Sequence, residues 1–486
     1  MKFLRVILLA SLAGPLATAA QAQTDPLGGQ PPRNAKPSVK DLDYQLKYQR
    51  AFEAVLWALP AVSIHGFRRA AEALGVHDDE VIAYSKVATP KFEALTANDF
   101  VPYITAFADL RTGPIVLEMP PATEKASLFG QVVDAWQVTV ADVGPTGPDQ
   151  GKGGKYLILP AGYDKDIPPG YIPIQTGSLR VFFAFRSVPG PKGSWEDAAE
   201  YAKTLKLYSL LQAARPPQTK FVDPGKQRFS TLPRFDENYF KDIYDIVNVE
   251  PVRPRDKVMM GMLASLGIEP GKPYRPDEKT KKAMKQAAMD AYFYIHQRFE
   301  TPRPDQLYWP ERKYVALFAP DAMRGFKYET DKALLVDDRA WQYALGTYYP
   351  KTLEAKPAVV YVGAVADSAG KPFLPAKTYK ITIPKDMPVK QFWFLNVYDA
   401  ATFAFVYAPN ERASLSSFDA KKMKSNADGS VTLYIGPKAP AEQESNWIPT
   451  LGKKPLPVFR LYGASDAFFD KSFKLPDFEL MTGKEK

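Results

Sequence analysis

The chain has 486 residues, no cysteine, only three histidines and a net charge of +9. Without cysteine it forms no disulfide and no thiolate metal site, and with lysine and arginine spread along the chain rather than gathered in blocks it carries no nucleic-acid-binding signature. Forty-five prolines, 30 glycines and 13% aromatic residues favour many short strands with shaped loops over a helical bundle.

Met1-Lys2-Phe3-Leu4-Arg5 is basic, Val6 to Ala19 is rich in Leu and Ala, and Ala20-Gln21-Ala22 ends the segment with small residues. This order predicts a signal peptide over 1–22, cleaved after Ala22, and hence a periplasmic or secreted protein. Gly14-Pro15 breaks the apolar run well short of a membrane span, and no later segment is long and apolar enough, so no transmembrane segment is expected. Residues 23–40 are polar and rich in Pro and Gly and read as a flexible leader.

Asp41 opens a helical pattern in which Tyr44, Tyr48, Phe52, Val55 and Leu59 form an apolar stripe, and Pro60 is expected to kink or end it. Between Tyr103 and Val188 the period shifts to two. Strands are expected at Tyr103 to Leu110, Pro114 to Met119, Gly130 to Val143, Lys155 to Leu159 and Leu179 to Ser187, as in a β-sandwich. Gly144 to Gly154 is glycine-rich, but its spacing fails the phosphate-loop pattern and it reads as a hairpin loop.

Trp195 to Leu211 returns to helix, and Phe235 to Phe299 reads as helical throughout. Pro276-Asp277-Glu278 suits the first turn of a helix whose apolar face runs through Met284, Ala288, Ala291, Tyr292 and Ile295. From Tyr314 strands return, at Pro357 to Val365, Thr378 to Ile383, Gln391 to Tyr398, Val431 to Ile435 and Val458 to Tyr462. Asn426 to Ser430 is a hairpin turn in which Gly429 supplies a positive φ. No internal repeat is evident.

Four segments of the last hundred residues recur in a set order: Phe392 to Asp399, Asp428-Gly429-Ser430, Asn446-Trp447-Ile448-Pro449 and Phe459-Arg460-Leu461-Tyr462. With Ala54 to Pro60, Tyr103 to Leu110, Gly113 to Leu117, Lys155 to Pro160 and Gly267 to Tyr274, they give the chain its resemblance to a known family. It resembles the bacterial envelope family that pairs the domain of unknown function numbered 1254 with the one numbered 1214. The resemblance implies a mainly β protein: an immunoglobulin-like β-sandwich, a helical subdomain and a jelly-roll-like C-terminal β-sandwich. It implies no settled activity. The expected boundaries are 41–230 for the N-terminal helix plus sandwich, 231–310 for the helical subdomain and 311–486 for the C-terminal sandwich. Where relatives often carry an Asn-Asn-Asp-Thr-like stretch, this chain has Asn98-Asp99-Phe100-Val101-Pro102, so a polar site built there is not expected.

His65, His77 and His296 are scattered, so no transition-metal site and no metal or organic cofactor is expected. His296 should pack or lie half-exposed in its aromatic stretch, and His77 should be solvated. No Gly-x-Ser-x-Gly elbow occurs. Asp399, Glu442 and Glu444 could form a carboxylate pair of the glycosidase kind, or could be ordinary caps and surface charges. Pro449 forces Ile448 into an extended conformation, fixing Trp447 at a corner. Either Trp447 offers a flat face to a sugar ring, with Asn446 and Arg460 supplying hydrogen bonds, or it plugs the sandwich while Arg460 pairs with Asp399.

The candidate ligand-binding residues are therefore Trp393, Tyr398, Asp399, Asn446, Trp447, Arg460 and Tyr462; no catalytic residue is assigned. Trp393 and Phe394 alternate across a strand, so they should face opposite sides. The reading is a binding or scaffold protein whose partner is a carbohydrate, a polymer or a small aromatic ligand. The alternatives are an envelope hydrolase using carboxylates of the C-terminal sandwich and a purely structural homo-oligomer.

Overall fold

A computed structural model describes residues 28–482 apart from 33, 226, 318–325, 347–348 and 352–355. The expected signal peptide, residues 1–22, lies outside the described residues. By backbone contacts the chain divides after Leu46. In the first unit, the Asp41 carboxylate accepts the Tyr44 N–H at 2.9 Å and caps the helix that begins at Leu42. Lys47 to Lys486 form the second unit, which is mainly β with helical parts.

The first set of strands builds two stacked sheets. The larger runs, in spatial order, Phe221–Val222, Val81–Ala83, Tyr103–Asp109, Arg180–Pro189, Ala126–Asp134 and Thr139–Val143. The smaller runs Lys206–Ser209, Ile115–Met119, Gly154–Leu159 and Tyr171–Gln175. Ile104, Ala106, Phe183 and Phe185 meet Leu117, Tyr156 and Ile158 in the core between them. Alternate residues of the same strands, Tyr103, Phe107, Phe182 and Ala184, join a different core on the far face. With both faces covered, these strands read as nearly continuous apolar runs.

A second pair of sheets follows. The larger runs Tyr314–Ala316, Val359–Ala364, Pro455–Ala464, Val389–Asp399 and Ser414–Ser416; the smaller runs Trp447–Pro449, Val431–Gly436, Tyr379–Ile383 and Glu479–Leu480. Trp393, Leu395, Val397, Phe459 and Leu461 face the core between these sheets. Their neighbours Tyr398, Leu456 and Val458 face the other way, into the core that already holds Tyr103 and Phe182. The larger sheets of the two sandwiches thus turn their outer faces toward one shared interior.

Helices fill that interior. They are α1 (Leu42–Ala73), α2 (Trp195–Ala202, which lies outside it on the first sandwich), α3 (Asn238–Val247), α4 (Lys257–Ala264), α5 (Glu278–Glu300) and α6 (Val336–Leu345). Every residue of α1 from Ala54 to Ile64 is buried. This burial explains why Pro60 does not end the helix, one of the two outcomes expected of it: packing on all sides outweighs the one backbone hydrogen bond that proline removes. In α5, Asp277 accepts the Thr280 N–H at 2.7 Å as the helix cap, and Met284, Ala288, Ala291 and Ile295 are buried as expected.

Other elements differ from the sequence expectation. Gly130 to Val143 is a hairpin, not one strand, because the Asp134 carboxylate accepts the N–H groups of Trp136 and Val138, both at 2.9 Å, around Gln137 at φ +65°. Gly144 to Gly154 crosses between the two sheets of the first sandwich and so is not a hairpin loop; Asp149 fixes it by accepting the Gly144 N–H at 2.8 Å. The helix from Trp195 stops at Ala202, and Lys206–Ser209 pairs as a strand with Ile115–Met119. The stretch from Phe235 to Phe299 is three helices, interrupted around Pro251 to Pro254 and Gly267 to Tyr274. Among the described residues no helix is long and apolar enough to cross a membrane.

Candidate functional site

Residues 94–99 form a strap that leaves the short strand Phe92–Glu93 and lies against the larger sheet of the second sandwich. Its polar side chains and several of its backbone groups are engaged. The Thr96 N–H donates to Phe403 O at 2.7 Å and its hydroxyl to Leu345 O at 2.5 Å. Arg460 Nη2 donates to the carbonyls of Thr96 at 2.6 Å and Ala97 at 3.2 Å, and the Tyr398 hydroxyl donates to Ala97 O at 2.6 Å. Asn98 donates its backbone N–H to Tyr103 Oη at 2.7 Å and its side-chain amide to Tyr462 Oη at 3.0 Å. Asp99 accepts from Asn396 at 2.8 Å and from the Ser414 hydroxyl at 2.5 Å. Thr96 sits at φ +39°, a left-handed conformation that a β-branched residue adopts only when its surroundings impose it.

Beside the strap, the facing sheets enclose a cavity of about 680 Å³, within the 300–1,000 Å³ range typical of small-molecule sites. Strand register explains its lining. In the first sandwich, Arg186 lies between Tyr103 and Phe129, and the next row on that face is Thr105, Ala184, Gln131 and Asp142. From the second sandwich, Val458, Arg460 and Tyr361 contribute, with Arg460 directly opposite Tyr361 in the pairing. Phe67, Phe92, Leu95, Leu317, Phe326 and Leu345 complete an apolar floor.

Arg460 is the electrostatic centre. It is 3% exposed and forms no ion pair with a described carboxylate. Instead it donates to Asn396 Oδ1 at 2.5 Å and lies over the rings of Tyr361 and Tyr398, 5.5 and 5.8 Å from their centroids. Burial opposes its charge, but the hydroxyls of Tyr398, Tyr361 and Tyr462 outweigh that and hold its pKa above the ordinary arginine value. Burial pushes the phenol of Tyr462 up to about 12. At the other row, burial raises the carboxyl of Asp142, which accepts from Gln131 at 3.1 Å.

The seven residues proposed from sequence do not form one site. Arg460 lines the cavity, and Tyr398 and Tyr462 surround it. Trp393 faces the opposite way, into the core of the second sandwich. Asn446 and Trp447 belong to its smaller sheet: Asn446 is spent on Lys424 N, Lys424 O and Thr432 O, and the half-buried Trp447 indole donates to Gly436 O at 3.0 Å. Asp399 caps its own turn by accepting the Ala401 N–H at 3.0 Å.

The expected Arg460–Asp399 pair is absent. Register places Arg460 opposite Phe394 and Asp399 opposite Pro455, so Asn396, not Asp399, meets the guanidinium. In the 98–102 stretch, Asn98 and Asp99 tie the two sandwiches together. Sequence reasoning missed Thr96, Arg186 and Tyr361; an Asn-Asp pair just ahead of an apolar strand and a lone arginine inside another were the available signals.

A second, smaller pocket of about 370 Å³ lies on the other side of Leu95, which lines both. There the His296 ring stacks on Phe403 at 4.6 Å and 3°. Burial pushes His296 down to about 4, leaving it neutral near pH 7. His77, by contrast, is exposed. Among the described residues no group of three or more His, Asp or Glu converges as metal ligands would.

Comparison with known proteins gives a family and a fold. Residues 79–209 match the family described as protein of unknown function DUF1254, and residues 358–466 match protein of unknown function DUF1214. No curated protein matches. The chain is similar to the crystal structure of the VPA0106 protein from Vibrio parahaemolyticus, with 17% identity, a TM-score of 0.52, and coverage of 90% of this chain and 100% of that one. A putative uncharacterized protein from Burkholderia cenocepacia aligns at 12% identity with a TM-score of 0.37, over 91% of this chain and 96% of that one. The chain therefore belongs with the proteins that carry a DUF1254 domain followed by a DUF1214 domain.

Proposed function

We propose that this chain is a binding protein and that its site is the cavity between the two larger sheets, which takes a small, largely apolar ligand. The observation that carries the reading is the enclosed volume of about 680 Å³, walled by phenylalanine and leucine with a few polar groups converging at one side, as ligand sites commonly are. This moves the expected binding site from the Asn446–Trp447 corner to the face that carries Arg460. Export through residues 1–22 belongs to the same proposal and rests on the sequence pattern alone.

The test is titration with N-phenyl-1-naphthylamine, a neutral apolar dye that brightens when removed from water. Saturable one-to-one binding is expected. Ala358 is exposed at the cavity rim, so Ala358→Trp should plug it and abolish the signal without lowering the melting temperature. Equal binding by the plugged variant, or no saturation in the parent, would falsify the reading.

A further inference from the structure

One side of the cavity carries hydroxyl groups with donor capacity to spare. The hydroxyl of Tyr361 bonds to no other group among the described residues. Tyr103 and Tyr462 each use their hydroxyl oxygen to accept from Asn98, which leaves both O–H protons to give. Nearby acceptors already receive other donors: Asn98 Oδ1 the Phe100 N–H at 2.7 Å, and the Thr96 and Ala97 carbonyls Arg460.

Two guanidinium groups stand at the same end. Arg186 lines the cavity and lies 5.5 Å from the centroid of the Tyr103 ring. Arg460 is buried behind Tyr361 without an ion-paired carboxylate. A fixed positive charge surrounded by spare donors in a water-poor space favours an anionic oxygen acceptor.

Asp142, the carboxylate on the cavity wall, does not spoil this end. It lies two strands and two residues away from Arg186 on the same face, about 12 Å between Cα atoms at ordinary strand spacing and rise. Its oxygens accept from Gln131 at 3.1 Å and from the Lys351 N–H, also at 3.1 Å.

Resting on the cavity being the binding site, we infer that the ligand is an amphipathic carboxylate. Its carboxylate is received by Tyr361 and Tyr103 in the field of Arg460, and its apolar body lies along Phe92, Leu95 and Leu345.

The experiment is displacement of N-phenyl-1-naphthylamine from the full chain by dodecanoate, 1-dodecanol and dodecyltrimethylammonium. Dodecanoate should displace the dye at concentrations about tenfold or more below those of the alcohol, the effect of one or two charge-assisted hydrogen bonds. The cation should be weakest. Tyr361→Phe should reduce the preference several-fold while leaving the melting temperature unchanged. Equal potency of acid and alcohol, a preference for the cation, or a preference untouched by Tyr361→Phe overturns the carboxylate inference and leaves the cavity reading standing. Absence of saturable dye binding overturns the cavity reading and this inference with it.

Discussion

Arg460 and Thr96 are 364 residues apart in the chain, yet a guanidinium nitrogen of one donates to the carbonyl of the other at 2.6 Å. The bond pins the strap across the second sandwich and holds the inner wall of the cavity. Arg460 is buried and Thr96 half-buried, so the guanidinium has little water to fall back on.

Arg460→Met keeps most of the volume but strands the acceptors at Thr96, Ala97 and Asn396. Loss of about 3–5 kcal/mol of stability is expected, the usual result of breaking a buried charged network by removing one partner. Arg460→Lys should recover little, because an ammonium cannot reach the Asn396 oxygen and two backbone carbonyls in the geometry of a planar fork. Urea denaturation measures both; a loss under about 1 kcal/mol for Arg460→Met would show that the strap is held by packing alone.

Thr96 separates two opposing contributions. Its hydroxyl bond to Leu345 O at 2.5 Å stabilises, whereas its φ of +39° costs energy because the side chain is β-branched. Thr96→Ser retains the hydroxyl and loses the branch, so it should be neutral or stabilising by up to about 1 kcal/mol. Thr96→Val retains the branch and loses the donor, leaving Leu345 O unsatisfied, and should cost about 1–3 kcal/mol. Equal effects from the two would mean that neither contribution matters.

Much of the fold was legible because burial writes itself into periodicity. The strands Tyr103–Asp109, Tyr379–Ile383 and Val389–Asp399 were found within a residue or two, since each places an apolar row on a packed face. Local chemistry also located the start of α5 at Pro276 to Glu278, though Asp277 proves to be the cap rather than a first-turn residue. What could not be read was what depends on distant chain. Pro60 lies within α1 because that helix is buried on all sides, which no local propensity reveals. Asp399 was a plausible partner for Arg460 until strand register placed it opposite Pro455 and left Asn396, on the same face as Arg460, to meet the guanidinium. The cavity itself exists only where two sheets, each from a different half of the chain, turn their outer faces toward each other.

Asp399 and Trp447 should affect stability rather than binding. Asn at position 399 can still accept the Ala401 N–H, and the Lys453 ammonium 3.7 Å away is 60% exposed, so Asp399→Asn should cost less than about 1 kcal/mol. Asp399→Ala removes the cap and should cost about 1–2 kcal/mol. Trp447→Ala loses a half-buried ring and its bond to Gly436 O, for about 2–3 kcal/mol. Dye binding in the cavity should survive all three; its loss in a folded Trp447→Ala protein would return the ligand site to that corner.

The last prediction concerns acid. His296 is stacked on Phe403 and buried, with its pKa lowered to about 4 by burial first, and with Glu300 and Lys454 acting in opposite directions. The unfolded chain titrates this ring near 6.5, so between about pH 6.5 and 4 the unfolded state binds the extra proton. Stability must therefore fall as pH drops through that window and level off below it, by at most about 3 kcal/mol for the full separation. Glu250 acts with the opposite sign: burial raises its carboxyl to about 7, so the stability it contributes at low pH is lost as pH rises toward 7. The parent protein alone would mix the two. The clean measurement is the stability difference between the parent and His296→Gln at pH 7 and at pH 4.5, with Glu250 present in both. The variant should gain relative to the parent by about 2 kcal/mol between those values. Parallel profiles would mean that His296 is protonated without leaving its place against Phe403.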